Sequence, residues 1–314
     1  MKIRRRFITV IIAVSLLGTG AIAHASALTP KAKLVELKVK SPEKDFPIRN
    51  VWVWTPAVPA AQVKVLPVVY MLHGWPGSPN GMIAAVVAPL TKAFAHGVAP
   101  FIAVFPDGNA LTHADSEWAD SYDGRAMIET WLTTNVIATV EAGNIRSRND
   151  RAILGFSMGG YGAGIIGLHH PNLYGQVITL AGYFVIDDLT NAFGYGLAHA
   201  AKAAYQTPST FLKVANEVRW FLGESSQDYT ELIRGQAAAW GKKLKSVKAS
   251  YAESTESGGH SYIFVSNEIP KVTAWLKWAV VKPAAPTPSP SPSATPTNSV
   301  LPSPTSSPTP TVVS

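Results

Sequence analysis

Short apolar runs recur along the chain, separated by longer stretches in which apolar and polar residues mix at helical spacing. Eight runs have strand length: Leu34 to Val39, Val51 to Trp54, Pro67 to Leu72, Phe101 to Phe105, Ala152 to Phe156, Gln176 to Leu180, Arg219 to Leu222 and Lys248 to Ala252. Helices are predicted over Met82 to His96, Arg125 to Glu141, Gly159 to His169, Thr230 to Leu244 and Ile269 to Val280. The first two strands alternate apolar with polar residues and are close in sequence, as expected of an antiparallel edge pair. Runs such as PVVYML and FIAVF are apolar throughout, as expected of strands covered on both faces. Strands alternating with helices argue for an α/β fold, with about eight strands in a mostly parallel sheet and helices on both faces. The stretch from Asp187 to Thr207 fits no strand and is predicted to form a helical insertion over one end of the sheet. No internal repeat or second domain is visible.

Both ends depart from this pattern. Residues 1–27 combine a basic start (Lys2, Arg4, Arg5, Arg6), an apolar stretch from Phe7 to Leu17 and small residues at Ala23, Ala25 and Ala27, which predicts a secretory signal peptide and hence an extracellular or cell-envelope location. Residues 283–314 are almost entirely Pro, Ser, Thr, Ala and Val without one charge. Such a segment cannot bury enough apolar surface to offset the entropy of ordering, so a disordered tail is expected, suited to spacing through a cell envelope. That leaves residues 28–282 for one domain.

Discounting the ends changes the charge. The first 27 residues carry four of the 27 Lys and Arg and none of the 20 Asp and Glu, leaving 23 basic residues against 20 and a net charge near +3. The basic residues are scattered, which argues against a nucleic-acid partner. The chain has no cysteine, so its stability is expected from a packed core.

The chemistry centres on ILGFSMGGYG, residues 153–162, where an apolar run breaks into glycines around Ser157. Glycine two residues before and two after a serine, between a strand and a helix, suits a nucleophile elbow whose turn is too tight for larger neighbours. The turn places the Met158 amide at a helix N-terminus, where it can donate to a developing oxyanion. Gly162, Gly164 and Gly167 also spell the dinucleotide-binding fingerprint, with Asp187 and Asp188 at a tempting distance. That fingerprint opens directly after a strand, whereas here it falls inside the following helix, so the three glycines are read as close helix-to-sheet packing.

A serine nucleophile needs a base and an acid, which follow it in chain order in α/β-hydrolases. His260 stands in the glycine-flanked loop after the last strand. The other histidines have simpler readings: His96, His169 and His170 at helix ends, His73 shaping a turn, and His113 and His199 in solvated loops. The loop after Arg219 to Leu222 offers Asp228 and Glu224; Asp228 is preferred because it stands further out, and Glu224 is the alternative acid. HGWPG, residues 73–77, follows the third strand, where a second oxyanion donor belongs, and the Trp75 amide is the candidate. Trp75, Trp118, Tyr122, Tyr183 and Phe184 are candidate pocket aromatics. No His and carboxylate cluster has metal-ligand spacing, so no metal or cofactor is implied.

Four stretches carry a family resemblance: FPDG at Phe105 to Gly108, WADSYD at Trp118 to Asp123, the block from Asp150 to Gly182, and GGHSY at Gly258 to Tyr262. In these the chain resembles the putative-esterase family of α/β-hydrolases, which includes S-formylglutathione hydrolases, feruloyl and acetylxylan esterases and bacterial mycolyltransferases. The resemblance implies the α/β-hydrolase fold, Ser157 as nucleophile, His260 as base and the Met158 and Trp75 amides as the oxyanion hole. The acid loop departs from the family: after Gly223 it reads ESSQD, ending at Asp228, where many relatives have Gly-x-x-Asp. The expected protein is a monomeric secreted serine esterase acting on a small-molecule, lipid or polysaccharide ester. An acyltransferase of the mycolyltransferase kind shares this chemistry, and a non-catalytic carbohydrate- or matrix-binding protein on the same scaffold is the alternative from a different class.

Overall fold

The computed structural model describes residues 30–43 and 46–279; the predicted signal peptide and tail lie outside the described residues. Eight strands form one sheet: β1 (Lys33–Lys40), β2 (Ile48–Thr55), β3 (Val68–Leu72), β4 (Ile102–Pro106), β5 (Arg151–Phe156), β6 (Gln176–Leu180), β7 (Arg219–Ser225) and β8 (Ser250–Glu256). Their order is β1-β2-β4-β3-β5-β6-β7-β8. β1 and β2 pair antiparallel at one edge, β2 runs antiparallel to β4, and every later pairing is parallel. β3, β4, β5 and β6 are buried along their whole length, as their unbroken apolar runs require of strands covered on two faces.

Helix α1 (Pro79–Ala95) follows β3, α2 occupies residues 128–140 with a π-helical stretch at Trp131–Val136, and α3 (Met158–His169) follows β5. After them come α4 (Gly196–Gln206), α5 (Gln236–Ser246) and α6 (Tyr262–Trp275). α1 packs on α6, while α3 lies against β3, β5 and β6 and the 3-10 segment Pro208–Glu217. The predicted insertion at Asp187 to Thr207 contains α4 and turns, with no strand.

Several helix boundaries differ from the periodicity, among them α1, which starts at Pro79 and not Met82, and α6, which ends at Trp275 and not Val280. α2 starts at Ile128 and not at Arg125, because Gly124 has a left-handed φ of 69° and Asp123 Oδ1 accepts the Arg125 N–H in a turn. α5 starts at Gln236 and not at Thr230, since the chain turns through residues 230–235 and passes Gly235 at φ 80°. α6 starts seven residues before the expected Ile269, because Ser261 caps it by accepting the Ile263 N–H at 3.1 Å.

The three fingerprint glycines serve packing. A Cβ on Gly162 would meet Trp118 at 2.5 Å, and one on Gly167 would meet Val177 at 2.4 Å. Gly155 and Gly159 are more constrained, because they bring backbone onto backbone. A Cβ on Gly155 would lie 1.7 Å from the Gly159 carbonyl oxygen, and one on Gly159 would lie 2.3 Å from that of Leu72. Gly155→Ala is therefore expected to destabilise the protein by more than about 3 kcal/mol, since main chain cannot rotate aside. Gly164→Ala, whose Cβ would come no closer than 3.3 Å to any neighbour, the Phe184 ring, should cost much less. Thermal melts of the two variants check this, and equal melting temperatures would contradict it.

Candidate active site

β5 delivers Ser157 to the carboxyl edge of the sheet, and α3 begins at the next residue. Ser157 has φ 58° and ψ −122°, a conformation that L side chains rarely adopt and that is held here by its neighbours. Its N–H donates to the Leu180 carbonyl at 3.0 Å, and its carbonyl accepts the Tyr161 N–H at 3.0 Å. The adjoining Met158 amide is the first of α3, and N–H groups in that position have no acceptor within their own helix.

Two neighbouring strands deliver the other groups. β7 and β8 run in parallel register to their last residues, Ser225 beside Glu256, so the loops that follow start side by side. The loops are tied together where Gly258 N–H donates to Gln227 Oε1 at 2.9 Å. Gly258 and Gly259 both have positive φ, 127° and 63°, and a Cβ on Gly258 would lie 2.6 Å from the Phe264 nitrogen. This turn presents His260, whose ring lies 5.0 Å from that of Phe156.

The result is one continuous relay. The Ser157 hydroxyl donates to His260 Nε2 at 2.8 Å, and His260 Nδ1–H donates to Asp228 Oδ2 at 2.7 Å. The Asp228 side chain is fully buried, and its other oxygen accepts the Thr230 N–H at 2.9 Å, so the carboxylate is fixed before the imidazole reaches it. Glu224, the alternative acid, is not part of the relay. It lies inside β7 paired with Thr255, and its carboxylate accepts the Gly235 N–H. Polar residues carry β7 past Gly223, where the apolar run ends.

The turn at residues 73–77 abuts the serine. A Cβ on Gly74 would lie 2.9 Å from Ser157 Cβ, which places the Gly74–Trp75 peptide beside the candidate nucleophile. Tyr262, two residues after His260, packs its ring against Gly77 and Gly81, so the histidine loop and this turn support each other. Gln227 carries no signal in the sequence, since polar loop residues are common in any fold, and Tyr262 is marked only as the last residue of the GGHSY stretch.

Several sequence expectations are corrected. Trp118, Tyr183 and Phe184 belong to the core: Trp118 is fully buried, Tyr183 stacks on Tyr161 at 5.1 Å and Phe184 on Trp240 at 4.7 Å. Trp75 and Tyr122 are exposed. His113 is buried and not solvated, with Nδ1 on the Thr190 carbonyl at 3.0 Å and Nε2 on Asp123 at 3.2 Å. His169 and His170 both meet Glu129 Oε1, at 2.7 and 2.9 Å. Burial raises the Glu129 pKa, but the two imidazoles outweigh it and hold the carboxyl at about 2. Asp187 and Asp188 adjoin a carboxyl cluster with Asp115 and Glu117, in which burial pushes the Asp115 carboxyl up to about 6.

The model of the putative esterase family matches residues 49–262, which include Ser157, Asp228 and His260. The chain belongs to the putative esterase family. With the family comes the reaction class, hydrolysis of carboxylic esters. Among solved structures, a ferulic acid esterase is 19% identical with a TM-score of 0.64, over 78% of this chain and 99% of that one. An S-formylglutathione hydrolase from Staphylococcus aureus is 16% identical with a TM-score of 0.60, over 78% and 98%. MPT51 (FbpC1) from Mycobacterium tuberculosis is 17% identical with a TM-score of 0.60, over 77% and 97%. At these identities the likeness is one of fold. A sequence search of curated proteins finds no match.

Proposed function

We propose that this putative esterase is a secreted serine esterase that works through a covalent acyl-enzyme. The observation that carries the reading is the unbroken hydrogen-bond chain from the Ser157 hydroxyl through His260 to buried Asp228. A serine hydroxyl is unreactive at neutral pH unless a neighbour takes its proton, and His260 Nε2 is in reach to do so. Ser157 Oγ bonds to the ester carbonyl carbon as its proton passes to His260. The carbonyl oxygen becomes an oxyanion facing the Met158 and Trp75 amides. On collapse the C–O bond to the alcohol breaks, and the alcohol leaves with the proton from His260. Water then adds to the acyl-enzyme, again giving its proton to His260, and the acid departs while Ser157 regains a proton. Asp228 holds the imidazole with its proton on Nδ1 and stabilises the imidazolium that forms twice in each cycle.

The surroundings favour an ester with a sizeable apolar group. Three exposed large apolar residues stand within three positions of the site in sequence: Trp75 next to the Gly74 that abuts Ser157, Tyr229 next to Asp228, and Ile263 three after His260. Each CH2 transferred from water to an apolar surface contributes about 0.8 kcal/mol when fully buried. kcat/KM is therefore expected to rise from p-nitrophenyl acetate to the butyrate and octanoate, by roughly threefold or more per added pair of CH2 groups. A flat or falling series would contradict an apolar acyl site. Running the same assay with trehalose present separates hydrolysis, which gives free acid, from acyl transfer, which gives the sugar ester. The predicted signal peptide supports secretion, and export of the full chain with loss of its first 25 or 27 residues, read from the mature N-terminus, tests it.

A further inference from the structure

His73 is a fully buried histidine directly before the turn that abuts Ser157, and the relay makes no use of it. Both of its ring nitrogens are engaged. The Gly108 N–H donates to Nε2 at 3.1 Å, which places the proton of the neutral ring on Nδ1. That proton faces the Gly74 carbonyl oxygen at 2.9 Å. The charged group facing the ring is Asp107, with Oδ1 3.5 Å from Nε2. The ring is itself fixed, because Trp118 Nε1–H donates to the His73 carbonyl at 3.0 Å and Ser116 holds the Gly108 carbonyl at 2.7 Å.

The Gly74 carbonyl and the Trp75 N–H belong to one planar peptide, in whose trans form they point in opposite directions. A carbonyl held toward His73 therefore turns the N–H the other way. The same carbonyl packs against Gly77, where a Cβ would lie 2.4 Å from it, while the Cα of Gly74 is turned to Ser157. Glycine lacks the Cβ that resists rotation of the adjoining peptide, so Gly74 alone does not select between the two orientations. The flipped orientation would present a carbonyl to the oxyanion and repel it.

We propose that His73 is a positioning residue that fixes the Gly74–Trp75 peptide with its N–H, and not its carbonyl, toward the reacting carbonyl of a substrate on Ser157. The inference rests on the reading of the Trp75 amide as an oxyanion donor. Its effect falls on the transition state, where charge has developed on the oxygen, so it governs kcat and leaves KM nearly unchanged.

Two amide substitutions separate this role from a general structural one. In His73→Asn the side-chain amide takes the place of Nδ1 and can still donate to Gly74. In His73→Gln it lies one bond further out, toward the position of Nε2. With turnover counted per site titrated to completion by a fluorophosphonate, so that only folded protein is scored, H73N should keep kcat within about threefold. H73Q should lose roughly tenfold to a hundredfold, a part of what losing one oxyanion donor costs. KM should stay within about twofold in both, and a boronic acid that forms a tetrahedral adduct should bind H73Q more weakly in proportion to kcat. Equal kcat in the two variants, a tenfold loss in H73N, or a loss that falls on KM would overturn the inference. Full turnover by Ser157→Ala would instead overturn the proposed function, so the two failures are distinguishable.

Discussion

Replacing Ser157 by alanine lowers ester turnover by at least about 10⁴-fold and leaves the melting temperature almost unchanged. The substitution removes one oxygen atom. The backbone groups of Ser157 keep their bonds to Leu180 and Tyr161, and the two glycines of the elbow keep its shape. His260→Ala should be similarly inactive but less stable, because it strips the partner from a buried carboxylate that retains only the Thr230 N–H. Leaving such a group short of a hydrogen bond costs on the order of 1–3 kcal/mol. The double variant should be no less active than either single one, since the two groups act as a unit. Steady-state kinetics and thermal melts on the three proteins check these statements, and appreciable turnover by either single variant would contradict the assigned roles.

Asp228→Asn is expected to lower kcat by roughly 10³- to 10⁴-fold, whereas Glu224→Gln should stay within about twofold of the unaltered chain. Asp228 accepts the His260 Nδ1 proton at 2.7 Å while bound to the Thr230 N–H. With the carboxylate replaced by an amide, the Asn NH2 can face Nδ1, which moves the imidazole proton to Nε2 and removes the acceptor that Ser157 requires. Glutamine at 224 can still accept the Gly235 N–H, the one contact its carboxylate makes near the relay. The reverse order of activities would return the acid role to Glu224.

The elbow was legible because its physics is local. The apolar run of β5 marks a strand buried on both faces, and the elbow demands glycine on either side of Ser157, where an added Cβ would lie 1.7 and 2.3 Å from main-chain carbonyl oxygens. His260 was legible from its place after the last strand and its two glycines, both of which adopt positive φ. The end of β7 was not, because Glu224 and Ser225 are polar and hydropathy stops at Gly223, while the pairing with Thr255 and Glu256 continues to the rim. For this reason Glu224 read as a loop residue. Trp118, Tyr183 and Phe184 failed as pocket aromatics for a different reason: the same ring suits a core or a binding site, and Trp118 is drawn inward by the space left at Gly108 and Gly162. His113 looked solvated because its partners, Thr190 and Asp123, come from segments the sequence does not show to be adjacent. His73 was read as shaping a turn, and it does so through contacts with Gly74 and the distant Gly108.

Peptide mapping by mass spectrometry after brief exposure to a fluorophosphonate tests the account most directly. The predicted result is a single adduct on the peptide containing Ser157, formed in step with the loss of esterase activity and absent from His260→Ala on the same time scale. Loss of activity with the adduct on another residue, or full activity in protein that carries the adduct on Ser157, would contradict it.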